Sequence, residues 1–139
     1  AFSLLTQHKR FIEYSKNNTF ISNYMELIGH TEFGPKYKPL FSNKIKFVDD
    51  LNINHWIEQW YLTYNKCYES FKNKNNINFI CYEELCKSNE YWLSMLKLLD
   101  IKEKYNFSFK ESHRAIEEEY DSKLTDKAAS IYNKLSQFT

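Results

Sequence analysis

Residues 77–82, Ile77-Asn78-Phe79-Ile80-Cys81-Tyr82, read as one β-strand in a chain whose other apolar patterns are helical. The segment is short, rich in β-branched and aromatic residues, and preceded by Asn75-Asn76. A strand that is nearly continuously apolar expects cover on both faces. A single strand also cannot satisfy its own backbone donors and acceptors. Either it pairs with something outside these residues or it is not a strand, and no other constraint on the fold is as strong. The rest of the chain points to helix: only two glycines and two prolines occur, and Gly34, Pro35 and Pro39 cluster in one place. So few turn residues also exclude a glycine-rich phosphate loop within these residues.

The apolar spacing predicts a first helix over residues 1–17, with Leu4, Leu5, His8, Phe11 and Ile12 on one face. A second follows Asn17-Asn18-Thr19 and ends at Gly29, a natural C′ residue. Residues 30–54 form a long, aromatic-rich loop, in which Lys44–Val48 alternates like a short edge strand. The third helix, Asn54 to Lys72, carries a stripe of Trp56, Trp60, Tyr64, Cys67, Tyr68 and Phe71 that reads as core, with His55 exposed at its start. After the strand, Ser88-Asn89 caps a helix bearing Trp92, Leu93, Met95, Leu96 and Leu99. Leu124 to Phe138 closes the chain as a helix capped by Thr125. A long helix, a buried strand and another helix make an α/β crossover pattern, the back half of an open parallel sheet. The 139 residues form a single domain with a real core.

The formal net charge of +1 gives no global pull toward nucleic acid or acidic membranes. No apolar run approaches the roughly 20 residues of a membrane span, and the first ten residues lack a signal-peptide pattern. The opening lies inside a helix-like pattern, as if residues upstream belonged to the same unit. Cys67, Cys81 and Cys86 have no zinc-site spacing and read as thiols of a reducing, cytoplasmic compartment, with Cys67 and Cys81 buried. No metal site is expected.

Chemistry-bearing residues are few. His8 lies on the apolar face of the first helix, as a buried, hydrogen-bonded histidine or a functional one. His30 opens the long loop beside Thr31 and Glu32, where functional residues concentrate. Arg10 and Arg114 stand against seventeen lysines. An arginine binds phosphate through a planar fork, so Arg114, next to Ser112 and His113, is a candidate phosphate ligand.

Phe79-Ile80-Cys81-Tyr82-Glu83-Glu84-Leu85, followed by a helix ending Leu96-Lys97-Leu98-Leu99-Asp100-Ile101, resembles a segment of the sulfotransferase family. There an apolar-x-x-Tyr-Glu-Asp/Glu-Leu strand precedes a helix with a Leu-Gly-like turn. Ala1-Phe2-Ser3-Leu4-Leu5 resembles the residues after the family's Arg-x-Pro element. Tyr24–Phe33, the helix around Trp56 and Trp60, and Leu124–Leu135 resemble bacterial members. The resemblance implies the mainly helical C-terminal half of a P-loop-like parallel-sheet α/β fold, with an N-terminal half of the same domain supplying the other strands. It implies transfer of a sulfuryl group from 3′-phosphoadenosine-5′-phosphosulfate to a hydroxyl or amine of a small molecule or glycan. Ser3 matches the serine that binds the donor's 3′-phosphate. Ser112 and Arg114 would stand in for a late Arg-Lys-Gly segment that this sequence lacks. His8 and His30 are the candidates for the base. The rival expectation is a non-catalytic helical module that binds other proteins, for which the aromatic stripes suffice.

Overall fold

The computed structural model describes residues 1–102, 108–111 and 118–137. Among them every regular element is a helix: α1 (Phe2–Asn17), α2 (Thr19–Leu27), α3 (Ile53–Phe71), α4 (Tyr82–Lys87), α5 (Asn89–Leu98) and α6 (Ser122–Ser136). This overturns the expected α/β fold and its strand at 77–82. Residues 77–81 run without regular structure, and Tyr82 begins α4. The cause is local. Among the described residues no second segment lies alongside to complete a ladder, and the Cys81 N–H turns to the Tyr91 hydroxyl, 3.3 Å away. The Cys81 carbonyl accepts from Glu84 and Leu85 N–H, starting a helical turn instead. The edge strand at Lys44–Val48 does not form either. The N–H groups of Lys46 and Phe47 go to the Glu58 carboxylate on α3.

Helix ends follow local chemistry. Asn18 separates α1 from α2 and caps α2 through its side-chain oxygen. Ser88 caps α5 as its sequence position implied. The cap of α6 is Asp121, not Thr125: its Oδ1 accepts from the Leu124 N–H at 2.8 Å. Thr125 instead points its hydroxyl back at the Asp121 carbonyl, because it sits inside the first turn. Gly29 ends α2 at φ +68°, and Asp100 ends α5 in the same left-handed conformation at φ 54°. In both, the next N–H reaches back across the turn, His30 to Met25 and Ile101 to Leu96.

Helix α3 organises the packing, with α1 and α6 against it, while α2 leans on α1 and α4 on α5. The main core joins Leu5 of α1 to Ile53 and Trp56 of α3, with Phe33 and Tyr37 of the long loop against them. Leu124, Ile131 and Leu135 are the buried face of α6. Only the first part of the α3 stripe is core. Tyr64 and Phe71, toward its C-terminal end, are exposed, whereas His55, expected at the surface, is buried. The long loop folds back over the start of α3 and covers His55. Cys81 is buried, Cys67 only half so.

Candidate functional site

The loop from His30 to Asn52 is held to the helices by side chains that spend their polar atoms on its backbone. His8, fully enclosed in α1, accepts the Gly34 N–H on Nδ1 at 3.1 Å. The neutral ring therefore carries its proton on Nε2, which faces Asp50 Oδ2 at 3.7 Å, an ion-pair distance beyond hydrogen-bond reach. His55 lies with Nδ1 2.6 Å from the Phe47 carbonyl. A carbonyl only accepts, so Nδ1 carries the proton and Nε2 accepts from the Tyr37 hydroxyl at 2.7 Å. Trp56 donates its indole N–H to the Asp50 carbonyl at 2.8 Å. Glu58 takes both Lys46 and Phe47 N–H groups. Burial pushes the His8 pKa down, opposed by the Asp50 charge. Burial, and then the Asp50 charge, push Tyr37 up to about 12.

This scaffolding positions a cleft of about 300 Å³ between the loop and the outer side of α1 and α3. Its loop wall carries Glu32, Phe33 and Lys38; Leu4 supplies the α1 side; Trp56, Gln59, Trp60 and Tyr64 supply the α3 side. The walls are aromatic: Trp60 and Tyr64 ring centres lie 4.5 Å apart, and Phe33 and Trp56 stack at 5.6 Å. Leu4 belongs to the opening turn of α1. That turn exposes Ser3. The N–H groups of Leu4 and Leu5 in this turn donate to the Ala1 carbonyl.

The residues picked from the sequence fall in different places. Ser3 lies in that first turn, one residue from the cleft. His8 is enclosed under the loop, against Tyr37 and Trp56 at ring distances of 5.1 and 5.2 Å. His30 is half-buried, stacked on Phe11, with Nδ1 3.4 Å from Glu32 Oε2. Ser112 and Arg114 lie outside the described residues. Sequence reasoning missed Glu32, Tyr37, Asp50, Glu58 and Gln59. The only signal for Glu58 and Gln59 was negative: two polar residues next to the aromatic stripe of α3, at positions that a helical wheel leaves near its edge. Nothing in the sequence links Tyr37 or Asp50 to residues far along the chain.

Among the described residues no cluster of His, Cys, Asp and Glu is arranged to hold a metal ion, and no helix is long and apolar enough to cross a membrane. Compared with protein-family models, curated proteins and solved structures, the chain matches none.

Proposed function

We propose that this chain carries the acceptor cleft and the 3′-phosphate contact of a sulfuryl transferase that uses 3′-phosphoadenosine-5′-phosphosulfate. The supporting observation is one juxtaposition: Ser3, exposed in the first turn of α1, is followed by Leu4, which lines the aromatic cleft. An anion site beside an apolar pocket is what joining a charged donor to an organic acceptor requires. The Ser3 hydroxyl donates to the 3′-phosphate. The acceptor lies on the aromatic wall, with its hydroxyl toward Glu32. In the transfer the acceptor oxygen forms a bond to sulfur while the bond from sulfur to the bridging oxygen of the donor's 5′-phosphate breaks. Glu32 takes the acceptor's proton, and His30, 3.4 Å behind, steadies the carboxylate. Charge stabilisation and in-line positioning carry most of the rate. The reading requires a cradle for the donor's 5′ end from residues outside this sequence, since two glycines cannot build one.

The test is calorimetric titration of 3′-phosphoadenosine-5′-phosphate into the full-length protein. One neutral hydrogen bond is worth on the order of 1 kcal/mol and a charge-assisted one roughly 1.5–3. Ser3→Ala therefore weakens binding about fivefold and Arg114→Ala more than tenfold. Lys97→Ala, exposed on α5, leaves it unchanged. Glu32→Gln lowers transfer while sparing nucleotide affinity. A parent protein that neither binds the nucleotide nor transfers sulfate refutes the reading.

A second reading, a helical module that binds other proteins, is favoured by α2. It has no buried residue, and Phe20 and Leu27 are 72% and 83% exposed. Phe20→Asp that abolishes recruitment of a cellular partner and leaves transfer intact separates the two.

A further inference from the structure

Gln59 sits on α3 in the wall of the aromatic cleft and is 6% exposed. Its amide nitrogen, Nε2, is buried and has no hydrogen-bond partner among the described residues. Native proteins seldom leave a buried amide donor unspent without a reason. The neighbouring donors illustrate the contrast: Trp56 gives its indole N–H to Asp50, and Tyr37 its hydroxyl to His55. Among the described residues, the Gln59 Nε2 is the cleft's buried side-chain donor without a partner. The terminal torsion of a glutamine is broad, so the amide turns at little cost to present an N–H to a guest.

The surroundings define that guest. Phe33, Trp56 and Trp60 beside Gln59 are uncharged. The charged residues of the wall, Glu32 and Lys38, are exposed and opposite in sign. A charged group carried into the interior of the cleft would meet no counter-charge there. Phe33, Trp56, Trp60 and Tyr64 line the cleft with aromatic rings, which favour an aromatic guest. The volume of about 300 Å³ is that of a small-molecule site.

We propose that the cleft takes an uncharged, planar aromatic compound bearing a carbonyl, with the carbonyl oxygen accepting the Gln59 N–H and the ring lying on Trp60. This names the class of acceptor and rests on the reading of the cleft as the acceptor site. When the compound also carries a hydroxyl, that hydroxyl is the group to be sulfated.

The test uses binding alone, with no sulfuryl donor present. 2-Acetylnaphthalene and 2-isopropylnaphthalene have nearly the same shape and differ in the carbonyl oxygen. Each is titrated into the full chain and followed by side-chain amide and indole NMR shifts. The ketone is expected to bind about tenfold more tightly, the worth of one well-formed hydrogen bond to a buried donor, and to shift the Gln59 amide resonance. Gln59→Met keeps the side-chain length and removes the donor, so the preference falls to about one. Trp60→Ala weakens both compounds alike. Equal affinity for the two in the parent, or a preference retained in Gln59→Met, overturns the proposal. So does the absence of saturable binding by either. The parent comparison decides the matter even if Gln59→Met does not fold. Because no donor is present, failure here leaves the transfer reaction to be judged by the nucleotide titration and the sulfate-transfer assay.

Discussion

Glu58 is the side chain whose removal should loosen the long loop most. It stands on α3, 6% exposed, and one of its oxygens accepts the N–H groups of Lys46 at 2.8 Å and Phe47 at 3.0 Å. Glu58→Ala deletes both bonds and leaves two backbone donors facing a gap. Charge-assisted bonds are worth roughly 1.5–3 kcal/mol each. Because the two share one oxygen, they do not add fully, and the expected loss is about 2–4 kcal/mol. Unfolding entropy near 60 °C is roughly 2.1 cal/mol/K per residue, or about 0.3 kcal/mol/K over 139 residues. The midpoint should therefore fall by about 7–14 °C. Glu58→Gln keeps an acceptor but no charge, so it should lose about half as much. Thermal and urea unfolding followed by circular dichroism measure the change. Limited proteolysis should show faster cleavage between residues 41 and 52. Glu69→Ala is the control, since that carboxylate is exposed and, among the described residues, paired only with Lys72, and it should leave the midpoint unchanged. If Glu58→Ala melts within 1–2 °C of the parent, Glu58 does not hold the loop, and the account of how the cleft wall is anchored is wrong.

Two matched helix ends make opposite expectations. Gly29→Ala places a Cβ at φ +68° with nothing within 4 Å of it, so only backbone strain enters, and urea unfolding should show a loss of about 1 kcal/mol. Asp100→Gly relieves the same strain at φ 54° and should gain roughly 0.5–1 kcal/mol in the same measurement; a loss would show that the Asp100 side chain contributes more than the strain costs. Removing the α6 cap with Asp121→Ala should cost about 1 kcal/mol, again read from urea midpoints. The His8 pKa lies below its ordinary 6.5 in the folded state. As pH falls through 6.5 the unfolded chain takes up a proton that the folded chain resists, so stability should drop on the acid side and recover above it. Asp50, His55 and Tyr37 are the titratable groups facing that ring; in His8→Gln the drop between pH 7 and pH 5.5 should shrink, and an unchanged slope would assign it to other groups.

The helices were legible because their signals are local. The apolar face of α1, the Asn18 and Ser88 caps and the Gly29 stop each depend on residues within a few positions of one another. The apparent strand at 77–82 failed for the opposite reason. Ile77, Phe79 and Cys81 satisfy the composition of a strand, but a strand exists only when a partner meets its donors and acceptors. Here the Cys81 backbone finds Tyr91 and the first turn of α4 instead. The site divides in the same way. Ser3 and His30 were visible as residue types in suggestive positions, and the aromatic stripe announced α3. Which part of that stripe is core, and which part faces a cleft, was decided by where the long loop lands. The loop's position is set by contacts between residues far apart in sequence: His8 with Gly34, Tyr37 with His55, and Glu58 with Lys46 and Phe47. Hydrophobic period and capping chemistry act within a turn of the chain, so one sequence determines them. The burial of His55 and the unspent donor of Gln59 arise only when distant segments close over one another, and only the tertiary structure could decide them.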